Sequence, residues 1–183
     1  MSSERERKSE KKSLQLEEAT DLTEGTEITN SYLDHFLSRQ LKIISFVGVF
    51  PCDILPQKIQ PETCVILNTD PHFQKGNHYV CINRDARGEY LYFDPLALDP
   101  QMFFPRMMRE LKKRKIASKL RPVCLSPIQA SVSKFCGLFC ADYVMTQTIP
   151  KMKKAKYLTR QDKLLRNDEI CLQNIVSNIK KRK

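Results

Sequence analysis

Four polar residues, in the order His78, Asp94, Gln129 and Cys136, are of the types that nucleophilic attack on an acyl group requires. A thiol nucleophile needs a base to take its proton, and that base needs a carboxylate or amide to hold its tautomer. His78 opens the strand-like run "HYVCINR" and Asp94 closes the next, "EYLYFDP", so antiparallel pairing would bring the two ends together. Cys136 stands where the polar stretch "SPIQASVSKF" gives way to the apolar "CGLFCADYVMTQTI", the start of a predicted helix. A helix N-terminus and a neighbouring imidazolium both favour the thiolate of a cysteine in that position. The same N-terminus offers a backbone N–H to a developing oxyanion, and Gln129 on the approaching loop can supply a second donor. Gly137, directly after the cysteine, would let substrate backbone come close. Each residue alone has a plainer reading: a packed thiol, a surface imidazole, a turn cap before Pro95 and an ordinary loop amide. Only the combination points to chemistry.

The elements that must position these groups can be read from periodicity. Leu33, Phe36, Leu37 and Leu41 recur at helical spacing behind Asn30, which predicts an N-capped helix over about 31–42. "FVGVFPCDILP" reads as a loop or short strand. "TCVILN", "HYVCINR" and "EYLYFDP" read as strands, the last two joined by a turn around Gly88, with "VCLS" (123–126) as a fourth. "DPQMFFPRMMRELKKRK" looks helical, with Phe103, Phe104, Met107, Met108 and Leu111 on one broad face and Pro105 marking a start or kink. The helix at Cys136 and a last one over about 160–180, capped by Thr159, complete the order. The fold class this predicts is α+β, a mixed and mostly antiparallel sheet packed between helices.

Residues 1–29 form a charged arm without aromatics, expected to be disordered, and 30–183 are expected to form a single domain. No apolar run is long enough to span a bilayer and no apolar leader opens the chain, so neither membrane insertion nor secretion is expected. Seven cysteines, odd in number and widely spread, suit a reducing, intracellular compartment better than a disulfide framework. No CxxC pair occurs, and His35, His72 and His78 do not have zinc-site spacing. The net charge is +10, yet the first thirty residues hold five Lys/Arg against eight Asp/Glu, leaving thirteen positive units on the remainder. Residues 106–121, including Lys112, Lys113, Arg114 and Lys115, and the stretch 151–183 supply most of that charge. It would attract a polyanion, nucleic acid first, or else simply solubilise the surface.

The ordered set His78, Asp94, Gln129, Cys136 resembles the adenovirus-type maturation cysteine proteases (adenain), found in adenoviruses and related virus-like mobile elements. The segments "FVGVFP", "CVILNT", "NHYV", "YLYFDP" and above all "QASVSKFCGLFC" resemble adenain in order, across about residues 43–145. Tyr79 stands where that family usually has Trp, Asp94 where adenain has Glu, and the loop from Cys124 to Gln129 is shorter. The resemblance implies the peptidase fold shared with SUMO-specific proteases and cleavage of viral or virus-like precursor proteins near glycine. It implies no cofactor for the chemistry itself. It further implies non-specific DNA binding, and an activating peptide for which Cys124 is the candidate disulfide partner. A monomer acting in the host nucleus or cytoplasm and in the virion is expected. Two alternatives share the residues: a ubiquitin-like-modifier protease of the same fold, and a catalytically silent nucleic-acid-binding virion protein.

Overall fold

The structure is a computed structural model that describes residues 28–40, 43–149 and 152–181; most of the predicted arm lies outside them. Five strands form one open sheet in the order β1 (Phe46–Pro51), β2 (Thr63–Asn68), β3 (Tyr79–Arg84), β4 (Tyr90–Phe93) and β5 (Leu120–Pro122). Alternation along the strands decides what each face buries. Cys64, Ile66, Tyr79, Cys81 and Phe93 point into one apolar layer. Val65, Leu67, Val80, Ile82, Tyr90 and Tyr92 point into the other. The central strands are therefore apolar on both faces, as a sheet covered on both sides must be.

Helix α1 (Asn30–Asp34, widening into a π-helical turn over His35–Gln40), α4 (Cys136–Thr148) and α5 (Arg166–Lys181) cover the first face. The second is covered by α3 (Pro105–Lys113), through Met107, Met108 and Leu111, with Leu55 and Ile59 beside them. A short helix, α2 (Pro100–Phe103), precedes α3. Burying one such Leu, Ile, Met or Phe contributes about 1.5–3 kcal/mol, so the two layers hold the sheet between them.

Several expectations change. The sheet is mixed, as expected, but only half of its pairings are antiparallel: β2–β3 and β3–β4 are antiparallel, while β1–β2 and β4–β5 are parallel. The chain reaches β5 by a crossover through α2 and α3, which a parallel neighbour requires. That strand is Leu120–Pro122, just before the predicted 123–126. Thr29, not Asn30, caps α1, its Oγ1 accepting from the Tyr32 N–H at 3.1 Å. Thr159 caps nothing; a single 3₁₀ turn, Gln161–Lys163, precedes α5, and Leu165 is exposed. Pro105 starts a new helix, which turns Phe103 outward instead of into the core.

Candidate active site

His78 is the residue before β3 and Asp94 the residue after β4, and the antiparallel register that pairs Cys81 with Phe93 makes the two meet. Asp94 Oδ1 lies 2.8 Å from His78 Nε2, with Asp94 1% exposed. The carboxylate is aimed by donors that sequence reading missed. Oδ1 also accepts the Leu96 N–H at 2.8 Å, while Oδ2 accepts the Leu98 N–H at 3.3 Å and the Tyr92 hydroxyl at 3.4 Å. Asp94 thus builds its own turn and, through it, fixes one imidazole nitrogen. The Phe104 ring stacks on the imidazole at 5.5 Å between centroids and shields one face from water.

The loop before His78 is pinned in the same way. Asp70 Oδ2 accepts from both the backbone N–H and the side-chain amide of Asn77, each at 2.9 Å. Gly76 has φ +65°, and a Cβ there would lie 1.8 Å from Asn68 Nδ2, so only glycine fits.

Cys136 begins α4 at 6% exposure, with Phe135 as the preceding cap residue. One turn later, Cys140 Sγ donates to the Tyr79 carbonyl at 3.3 Å, which sets the register of α4 against β3. That register puts the Cys136 side chain close enough to His78 to help hold the imidazole protonated. Since Nε2 is taken by Asp94, Nδ1 is the nitrogen left for sulfur. Burial pushes the imidazole down, but the Asp94 hydrogen bond and then the Cys136 side chain outweigh it and hold His78 up at about 9. An imidazolium beside the sulfur is therefore the resting arrangement at neutral pH. Gly137 is required by packing. A Cβ on it would stand 2.8 Å from Ile28 and 2.9 Å from Leu33, so it lets the start of α1 lie against α4.

Gln129 is 2% exposed, on a loop whose Ile128 and Gln129 N–H groups both donate to the Pro95 carbonyl, at 2.9 and 3.0 Å. Its Nε2 donates to the Ser133 carbonyl at 2.8 Å, three residues ahead of Cys136, and its Oε1 is buried without a partner. Rotating the amide would set oxygen against the Ser133 carbonyl, so Nε2 stays on that side. One amide hydrogen is thereby used, and an oxyanion role rests on the second. The far end of the loop is held by α5: Asn167 donates to the Ile128 carbonyl at 2.6 Å, and Ser133 Oγ lies 2.9 Å from Asp168 Oδ1. These anchors have no sequence signature beyond polar residues on an amphipathic helix.

Cys124 is half-buried, and its thiol donates to the Ser126 carbonyl at 3.1 Å. Burial pushes this thiol up to about 11. It lines a cleft of about 360 Å³ with Leu91, Phe93, Ile128 and Tyr143. Lys112, Lys113 and Lys115 are exposed at the end of α3. Arg114 is not available in the same way, because its guanidinium donates to the Pro56, Leu55 and Glu110 carbonyls at 3.0–3.2 Å. Lys113 pairs with Glu110 at 2.6 Å. Among the described residues no group of three or more His, Cys, Asp or Glu side chains is placed to hold a metal, and no helix is long and apolar enough to cross a membrane.

The fold and site define a buried Cys–His–Asp arrangement at the meeting of a helix start and two strand ends. No protein-family model matches the chain, and no curated protein is significantly similar to it in sequence.

Proposed function

We propose that this protein is a cysteine endopeptidase. The observation that carries the reading is the shared imidazole: one nitrogen of His78 is held by buried Asp94, and the other side of the ring meets Cys136 at the start of α4. In this mechanism the Cys136 thiolate attacks the scissile carbonyl. His78 gives its Nδ1 proton to the departing amine, and a thioester to Cys136 remains. Water then attacks the thioester, His78 takes one of its protons, and the acid product leaves as the Cys136 thiolate and the His78 imidazolium are restored. The Cys136 N–H and Gln129 hold the oxyanion in both halves. The substrates proposed are viral or virus-like precursor proteins cut near glycine, on the resemblance of "QASVSKFCGLFC" and the strand segments to adenain.

Hydrolysis of a panel of fluorogenic peptides ending in glycine tests the activity. A precursor peptide set against a tagged ubiquitin-like modifier tests the substrate class. Gln129→Ala is expected to lower kcat by roughly 10²–10³, the range for losing one oxyanion donor, with a smaller change in KM. Full turnover in that variant would remove Gln129 from the oxyanion site.

DNA is the second proposed ligand, bound without sequence preference by the basic end of α3 and the terminal basic run. Each phosphate neutralised by Lys or Arg frees condensed counterions, so affinity should fall by about 10²–10⁴ between low and physiological salt. Fluorescence anisotropy with a labelled duplex measures this. Neutralising Lys112, Lys113 and Lys115 together with Lys180, Lys181, Arg182 and Lys183 should weaken binding and flatten the salt slope. Unchanged binding in that variant, or none at low salt, counts against it. Arg114 is left intact because it holds the 55–56 loop.

A further inference from the structure

Large apolar side chains stand in water on the segments that flank His78 and its stacking partner Phe104. Phe73 is 67% exposed, Met102 75% and Phe103 55%. Helix α2 buries none of its residues, so these side chains do nothing for the core. Their position is fixed nonetheless. Phe103 directly precedes Phe104, whose ring covers the imidazole. Phe73 is tied to the same end of α3 by the Arg106 guanidinium, 5.7 Å from its ring centroid. Asp99 caps α2 by accepting from the Gln101 N–H at 2.8 Å, and the turn leading to it is the one stitched by Asp94. The same backbone that aims the carboxylate therefore holds this apolar shelf. Exposed apolar surface of this kind, fixed next to a reactive centre, is a binding surface.

We propose that the shelf of Phe73, Met102 and Phe103 receives a large apolar side chain from the leaving-group half of the substrate, one or two residues after the cleaved bond. The inference rests on the peptidase reading and adds to it a preference on the departing side. The chemistry gives the direction. His78 must deliver its proton to the amine that leaves, so the departing segment lies on the imidazole side of the Cys136 sulfur. Phe104 covers one imidazole face, and the residue joined to it, Phe103, is exposed. A polar or glycine residue there would leave the shelf wet, whereas Leu or Phe would remove apolar area from water on both partners.

Acyl transfer reads this preference separately from hydrolysis. A glycine-ending peptidyl coumarin amide forms the thioester on the full-length protein and releases coumarin. Added leucinamide, phenylalaninamide or glycinamide then competes with water, each amine nitrogen taking the acyl group and returning the thiol. Leucinamide and phenylalaninamide should capture the acyl group about tenfold better than glycinamide, the usual size of apolar pocket discrimination. In the double variant Phe73→Ser, Phe103→Ser the ratio should fall to within about twofold; because it is read as the partition of one thioester between amine and water, it is independent of any change in the rate of coumarin release. Equal capture by wild type, or an undiminished ratio in the variant, while coumarin is still released, overturns the shelf and leaves the peptidase reading standing. Absence of coumarin release across the whole glycine-ending panel overturns both.

Discussion

Cys136→Ala is expected to lower peptide cleavage by roughly 10⁶-fold while the protein stays folded. Removing the nucleophile from a unit of this type takes away almost all of its chemistry, since the other members have nothing to activate. The fold should tolerate the change. Alanine keeps Cβ, the helix start remains, and the lost contact is one sulfur, worth about 1 kcal/mol. The register of α4 does not depend on Cys136, because Cys140 donates to the Tyr79 carbonyl one turn later. Circular dichroism and a melting curve beside the turnover assay separate the two effects. Retained turnover in a folded Cys136→Ala protein would remove the role. Alkylation gives an independent check with an internal rival. Cys124 is more exposed than Cys136, so access alone predicts that it reacts first. Its thiol, however, is held up at about 11, which leaves a thiolate fraction on the order of 10⁻⁴ at pH 7. Cys136 faces an imidazolium instead. Iodoacetamide at neutral pH should therefore label Cys136 ahead of Cys124, and mass spectrometry of the labelled peptides reports the order. The five other cysteines are buried and should label only on unfolding.

The residues of the site were legible because each sits at an element boundary that periodicity marks. His78 and Asp94 bracket two β-branched and aromatic runs, and a hairpin turn with Gly88 at φ +84° closes them into one register. Cys136 marks a change from polar loop to apolar helix. The support around them was not legible, for a physical reason. Tyr92, Leu96 and Leu98 act on Asp94 through one hydroxyl and two backbone N–H groups, and backbone donors carry no residue signature. Asn167 and Asp168 reach the Gln129 loop across 39 and 35 residues of sequence, a contact fixed only by how α5 packs. The parallel β4–β5 pairing is not legible because β5 is three residues long, with Arg121 and Pro122 exposed, and leaves no alternation to read. Phe103, grouped by spacing with Met107, Met108 and Leu111 on one broad face, is exposed because Pro105 makes a start rather than a kink. Without an N–H, that proline starts a helix instead of continuing one.

Asp94→Ala is expected to lower kcat/KM by about 10⁴, and Asp94→Asn by much less, with the pH profile distinguishing charge from orientation. Alanine removes the carboxylate that holds His78 Nε2, so the imidazole loses both its tautomer and its aim. It also strands the half-buried Leu96 and Leu98 N–H groups, so the melting temperature should fall as well. Asparagine separates these effects. The Leu96 N–H at 2.8 Å from Oδ1 favours an oxygen in that position, and that oxygen still accepts from His78. Orientation survives and the charge does not. His78 is held up at about 9 against the downward push of burial, first by the Asp94 hydrogen bond and then by Cys136, so the amide should lower it. A folded-state value above the ordinary 6.5 means that the protonated imidazole stabilises the fold fully below about pH 6.5. That contribution is then lost as pH rises through about 9. Activity that needs the imidazolium should follow the same limit, with the alkaline limb of kcat/KM near pH 9 in the native protein. In Asp94→Asn that limb should move to lower pH, and the stability window between 6.5 and 9 should narrow with it. An alkaline limb that stays in place in Asp94→Asn, or full turnover in a folded Asp94→Ala protein, would show that the carboxylate packs the turn without serving the imidazole.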